Sequence, residues 1–106
     1  MSNISPEALT AGVSDVKDAM GILFNDDDKM IEDKLNVSAF WLTNEILYEP
    51  DFVIQPLSTE LTLICERVRY EMSNSLDIFQ KNYGQDIQNV ISRHAYNDFM
   101  SKQGGV

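Results

Sequence analysis

The sequence predicts an all-α fold: a small antiparallel bundle of about four helices with one extended loop that contains proline. Three observations lead to this prediction. Apolar side chains recur at steps of three and four residues along most of the chain, the spacing that gives a helix one buried face. Residues that commonly cap helices stand just before these stretches. Alternation between apolar and polar residues is nowhere long enough to predict a strand.

The N-terminal half is predicted to contain two helices separated by an acidic turn. Ser5 is a favourable N-cap and Pro6 suits the first helical position, so the first helix is expected to begin there. Its apolar stripe is formed by Leu9, Val13, Val16, Met20 and Leu23 and ends at Phe24. Residues 25–28 (NDDD) favour a turn, and their negative charge stabilises the start of a second helix, predicted over residues 29–48. A break near residues 36–38 stays open as an alternative.

An extended loop is predicted over residues 49–57. Pro50 and Pro56 each disfavour helix at the residue before them, which keeps this stretch extended. The loop also contains three consecutive apolar residues, Phe52, Val53 and Ile54. These side chains are expected to pack either on the body of the domain or on a partner.

The C-terminal half is predicted to contain two further helices. The third begins with Ser58 or Thr59 as its cap. The apolar stripe that follows is Leu61, Cys65, Val68, Met72, Leu76, Phe79, Tyr83, Ile87, Val90 and His94. Gly84 interrupts it and is expected to separate the third helix from a fourth that begins near Asp86, with one long helix as the alternative. Residues 84–106 are thus a C-terminal helix and flexible tail, a candidate partner-docking segment, within one domain spanning residues 1–106.

The net charge of −9 excludes several classes of partner. Residues 1–57 hold 11 acids and 3 bases, a balance of −8, whereas residues 58–106 hold 6 acids and 5 bases, a balance of −1. Phosphate groups of nucleic acids and anionic lipid surfaces repel such a chain, so conventional DNA or RNA binding and membrane binding are not expected. The charge suits solubility, a basic protein partner, or a surface that DNA passes without binding.

Neither a catalytic site nor a metal site is expected. If Asp26 began a calcium-binding loop, position six would be Ile31 and position twelve Val37, where such a loop needs Gly and Glu. Cys65 and His94 are the only candidate nucleophile and base pair, and both fall on the apolar stripe, where a cysteine is normally inert. No glycine-rich phosphate loop is present. We therefore expect a protein that is not an enzyme and has no cofactor.

Arg67 and Arg69 leave two interpretations open. They point to different faces of the third predicted helix. One interpretation is ion pairing with Glu66, Glu71 or the acidic first half of the chain, and the other is a place at a protein interface, where the planar guanidinium is favoured.

The sequence gives no sign of export or membrane insertion. Cys65 is the only cysteine, so no disulfide within the chain is expected. The first residues have neither a basic stretch nor an apolar one, so no signal peptide is expected, and the apolar runs are too short to span a membrane. We expect the chain to act in the cytoplasm where it is made, or in a particle assembled there.

The order of motifs over residues 13–84 resembles that of the head–tail connector (adaptor) proteins of tailed bacteriophages. Many members of that family begin with the phrase DVK-x-x-L-G-I, an acidic turn and a D-x-x-I-x-x-x-L helix, followed by a Pro-led helix. The matching stretches here are DVKDAMGI at residues 15–22, NDDD at 25–28, MIEDKL at 30–35, the loop with its prolines, and a long helix ending in KNYG at 81–84. Met20 stands where the family phrase usually has Leu.

The resemblance implies a helical-bundle subunit of the virion neck, assembled in the host bacterial cytoplasm. Such subunits form a homo-oligomeric ring that docks beneath the portal protein, extends the DNA channel and presents a platform for the next head-completion or tail protein. In that family the C-terminal segment commonly reaches the portal; here that role would fall to Tyr96, Phe99 and Met100. Phe52, Val53 and Ile54 are then expected to pack between subunits of the ring. DNA would pass through the channel without sequence-specific binding.

Two other functions fit the composition and stay open. A small acidic helical binding protein, such as a secretion chaperone or an inhibitor of a host or defence protein, suits the size, acidity and helicity equally well. A DNA mimic would need carboxylates spread over one face in phosphate-like arrays, whereas the acids here become sparse after residue 51.

Overall fold

The computed structural model describes residues 2–104 and confirms the predicted all-α fold. Within these residues, four α-helices and one π-helical segment follow one another. They are α1 (Pro6–Met20), α2 (Asp28–Phe40), the π-helical segment (Trp41–Ile46), α3 (Thr59–Met72) and α4 (Leu76–Gly104). Residues 2–104 contain no strand; the nearest feature is one isolated parallel bridge between Ile4 and Ile54.

Helix α1 begins where predicted but ends four residues earlier than its apolar stripe suggests. The Ser5 hydroxyl accepts a hydrogen bond from the Ala8 N–H, and Pro6 occupies the first turn. At the other end Gly21 adopts a left-handed conformation (φ 69°), and the Ile22 N–H donates to the Lys17 carbonyl at 2.9 Å. This arrangement terminates a helix, since glycine takes a left-handed conformation at little cost. Leu23, expected on the buried stripe, is therefore exposed.

Helix α2 continues into the π-helical segment without the break considered near residues 36–38. The Leu47 N–H donates to the Leu42 carbonyl at 2.9 Å, a step of five residues that widens the helix locally. The Thr43 hydroxyl donates to the Ala39 carbonyl at 2.9 Å. Three successive residues in this wider turn, Trp41, Leu42 and Thr43, are buried.

The predicted loop follows and is held down by the N-terminal residues. The Asn3 side-chain amide donates to the carbonyls of Pro50 and Phe52 at 2.8 and 2.9 Å. Main-chain hydrogen bonds join the Ile54 N–H to the Asn3 carbonyl and the Ser5 N–H to the Ile54 carbonyl. Ile54 consequently lies in the core and is fully buried.

The break expected at Gly84 lies ten residues earlier. Helix α4 runs through Gly84 without interruption, whereas α3 ends at Met72. Asn74 adopts a left-handed conformation (φ 55°), which asparagine tolerates better than most residues, and the Ser75 N–H donates to the Tyr70 carbonyl at 2.8 Å. The prediction of two helices separated at Gly84 is therefore wrong, although the number of helices is as predicted.

The core lies where α1, α2 and α3 meet and extends along the first part of α4. A side-chain carbon at Gly12 would lie 3.0 Å from Leu35 Cδ1, so the absence of a side chain lets α1 approach α2 closely. Phe79 of α4 is fully buried and contacts three aromatic rings. Its ring centroid lies 5.1 Å from that of Tyr83, 5.9 Å from that of Tyr70 and 6.1 Å from that of Trp41. These edge-on and stacked contacts fix α4 on the bundle.

The molecule is elongated because α4 outruns the rest of the bundle. Its extents are 52 × 29 × 20 Å and its radius of gyration is 14.5 Å, against about 13 Å for a compact chain of this length. The 29 residues of α4 span about 43 Å at 1.5 Å per residue. Every residue from 95 to 102 is exposed, so the last two turns of α4 project from the body.

Replacing Gly84 with Ala should stabilise the protein. The position is helical and a side-chain carbon there would meet no atom within 4 Å, so we expect the free energy of unfolding to rise by about 0.5–1 kcal/mol. Gly21→Ala is the control: its positive φ should make that change destabilising by about 1–2 kcal/mol. Urea unfolding followed by circular dichroism measures both. A loss of stability in Gly84→Ala would show that the chain needs a hinge at this position.

Candidate partner-binding surface

Helix α4 is fastened to the body by a histidine held between two carboxylates. His94 Nε2 lies 2.7 Å from the Glu60 carboxylate of α3, and His94 Nδ1 lies 3.0 Å from the carboxylate of Glu49 in the loop after the π-helical segment. The Phe52 ring meets the imidazole edge-on, with 4.7 Å between ring centroids. Only 9% of the His94 side chain and 10% of the Glu60 side chain are exposed. The predicted stripe therefore ends in a buried, hydrogen-bonded histidine.

Both ring nitrogens of His94 face carboxylate oxygens. The arrangement ties α4 to two elements that are 34 and 45 residues away in the sequence.

Immediately beyond His94 the projecting end of α4 (residues 95–102) presents an uncovered apolar stripe. Tyr96, Phe99 and Met100 follow the i, i+3, i+4 spacing that places side chains on one face of a helix. Their exposed fractions are 61%, 57% and 46%. Lys102 pairs with Asp98 at 3.2 Å, one turn apart along the helix. The three residues chosen from the sequence as docking anchors thus share one accessible face.

The three apolar loop residues are not equally accessible. Ile54 is fully buried in the chain's own core, so it cannot reach a neighbouring subunit in this conformation, and this part of the expectation is corrected. Phe52 is half-buried against His94 of the same chain. Val53 is 36% exposed and remains available. A groove of about 940 Å³ lies between the loop and α4 and includes Tyr48, Phe52, Ile91 and Ala95 among its lining residues.

Both arginines considered as interface residues are engaged within the chain. Arg69 forms an ion pair with Glu66, as one of the two interpretations predicted. Burial alone would raise the pKa of Glu66, but hydrogen bonds from Arg69 and the Tyr83 hydroxyl outweigh it and lower the pKa. Arg67 instead lies over the Trp41 ring, 4.5 Å from its centroid, and donates to the Ser38 hydroxyl at 2.9 Å. Each guanidinium therefore has a contact within the chain.

Cys65 is placed as a core residue and not as a nucleophile. Its thiol contacts the Gly12 carbonyl at 3.9 Å, and burial raises its pKa to about 12. Both ring nitrogens of His94 face carboxylates, so neither is directed at the thiol. Within residues 2–104 no group of three or more His, Cys, Asp or Glu side chains is arranged to hold a metal ion. None of the helices in this part of the chain is long and apolar enough to cross a membrane.

Comparison of the chain with protein-family models, with curated proteins and with solved structures found no match.

The thiol of Cys65 should react very slowly in the native protein. A pKa raised from 9.0 to about 12 leaves about a thousandfold less thiolate at pH 8, and the thiolate is the reactive form. Labelling with iodoacetamide, quantified by mass spectrometry, should therefore be slower than in urea by at least that factor. Comparable rates with and without urea would mean that the contact between α1 and α3 opens readily.

The histidine contact should contribute strongly to stability. His94→Ala leaves the buried Glu60 carboxylate without its partner, and we expect a loss of about 2–4 kcal/mol in the free energy of unfolding. Glu49→Gln, at the more exposed contact, should cost less than about 1 kcal/mol. The double variant His94→Leu/Glu60→Leu should recover most of the loss, since it removes both polar partners. Equal losses for His94→Ala and Glu49→Gln would contradict this assignment.

Proposed function

We propose that the chain is an adaptor subunit that binds a larger protein assembly through the projecting end of α4. The observation that carries this proposal is the stripe of Tyr96, Phe99 and Met100, which is exposed on the last turns of α4. An apolar helix face with this spacing is the element that one protein inserts into the groove of another. The contacts of His94 with Glu60 and Glu49 fix the direction of α4. A helix that is already held in place loses less entropy when it binds a partner.

The specific form that we propose is the head–tail connector of a tailed bacteriophage. Support comes from the resemblance over residues 13–84 and from the acidic surface, which would repel DNA and let a genome pass along a channel. In this role Phe99 and Met100 dock on the portal protein, and copies of the chain form a ring in the virion neck. Because Ile54 is buried in the core, the loop contributes Val53 to contacts between subunits, with Phe52 beside it.

The test is a pull-down of the tagged chain from phage-infected cells and from purified virions. The variant Phe99→Asp/Met100→Asp places two charges in the apolar stripe and should reduce portal recovery by at least about tenfold. The matched control, Leu57→Asp/Ile78→Asp, adds the same charge at two other exposed apolar positions and should bind normally. Circular dichroism should show the same helicity for both variants, because all four positions are exposed.

Three results would contradict the proposal in different ways. If Phe99→Asp/Met100→Asp bound the portal protein as well as the unchanged chain does, α4 would not be part of the interface. Equal loss in the Leu57→Asp/Ile78→Asp control would assign the effect to net charge. Recovery of one host or effector protein, with no copies of the chain in virions, would replace the connector by an inhibitor or chaperone.

A further inference from the structure

A second surface lies between α1 and the start of α2, and it differs in chemistry from the projecting end of α4. It is an open groove of about 520 Å³, called here the α1–α2 groove. Its apolar lining is Leu9, Val13, Ile22 and Leu23. Three acids, Asp18, Asp28 and Glu32, line it together with Lys17. An apolar floor with a charged rim is the composition of a protein-recognition site.

The negative charge of this rim is only partly balanced within the chain. Lys17 pairs with Asp28 at 2.8 Å and donates to the Asn25 side-chain oxygen at 2.8 Å, and only 14% of its side chain is exposed. The positive charge of Lys17 is therefore already paired with Asp28. Within residues 2–104 no Lys, Arg or His nitrogen lies within 4 Å of the carboxylate of Asp18 or Glu32. Those two acids therefore line the groove without forming an ion pair in this part of the chain.

The early end of α1 leaves large apolar side chains uncovered beside the groove. Because Gly21 turns the chain away from the helix, Leu23 and Phe24 are 87% and 75% exposed. Leu23 itself lines the groove. A single exposed apolar residue needs no explanation, but Leu23 is exposed within an apolar groove lining, and Phe24 follows it directly in the sequence.

We infer that the α1–α2 groove binds a basic segment of a partner protein. The segment would place one or two large apolar side chains on the floor beside Val13 and Leu23, and its Lys or Arg side chains beside Asp18 and Glu32. Charge complementarity selects this occupant, since DNA and anionic lipid would be repelled by the same rim. This inference does not depend on the role proposed for α4, because the two surfaces share no residue.

Affinity selection from a library of random peptides, each several helical turns long, tests the charge and the apolar anchors together. The immobilised protein should enrich peptides with net positive charge and at least two large apolar side chains. Their binding should weaken at least about tenfold as the salt concentration rises from about 50 to about 500 mM, because exposed ion pairs are screened. Chemical shifts of backbone amides should change at Leu9, Val13 and Leu23 when an enriched peptide is added.

Two double variants distinguish the contribution of the acidic groove residues to binding from the effect of net charge. Asp18→Lys/Glu32→Lys should raise the dissociation constant at least about tenfold, since it reverses the rim. Asp51→Lys/Asp86→Lys changes the net charge equally at exposed positions outside the groove. This control should change the dissociation constant by less than about twofold. Leu23→Ser removes an anchor that the fold does not need, because the side chain is 87% exposed, and it should also weaken binding.

Several outcomes would overturn the inference. These are the absence of enriched peptides, the enrichment of neutral or acidic ones, and equal weakening by both charge variants. Shift changes confined to the projecting end of α4 would assign binding to that surface. Self-association that blocks the groove and is abolished by Phe99→Asp/Met100→Asp would make a second copy of this chain the occupant.

Discussion

Along residues 76–102 of α4, the buried contact between His94 and Glu60 belongs to the last side-chain cluster that is hydrogen-bonded to the rest of the bundle. Burying a carboxylate in a chain that already carries a net charge of −9 is unfavourable unless a cation or donor accompanies it. The imidazole provides that donor from the last turn of α4 that packs on the body, while Glu49 holds its other side. Residues 95–102 form no hydrogen bond or ion pair of this kind with the body, and all of them are exposed.

The helices could be predicted from the sequence because their signals are local. Caps such as Ser5 and Ser58 act within three residues, and both hydroxyls accept the expected N–H hydrogen bonds. The position of the last helix break depended instead on tertiary packing. Gly in a helix costs only about 1 kcal/mol, and Phe79, Tyr83 and Ile87 hold the helix on either side of Gly84. The turn signal was present in Ser73-Asn74-Ser75, where residues that favour turns are clustered.

The candidate surfaces were predictable only in part, because exposure is a property of the folded chain. The stripe from Leu61 to His94 and the residues Tyr96 and Phe99 look alike in the sequence, yet the stripe is buried or partly buried whereas Tyr96 and Phe99 are exposed. The loop shows the reverse: Ile54 resembles its neighbour Val53 but lies in the core, where main-chain hydrogen bonds join it to Asn3 and Ser5, about 50 residues away. Leu23 is exposed because α1 ends at Gly21, and this glycine could have predicted the end of the helix from the sequence.

The two proposed surfaces use different physical forces, which follows from how charge is divided along the chain. The acidic first half carries the α1–α2 groove, where unpaired carboxylates favour a basic partner and steer its approach over several ångströms. The nearly neutral second half carries the projecting end of α4, where apolar burial alone supplies the attraction. Because neither surface shares residues with the other, occupation of one leaves the other free. Two partners could therefore occupy the two proposed surfaces at the same time without sharing a residue of this chain.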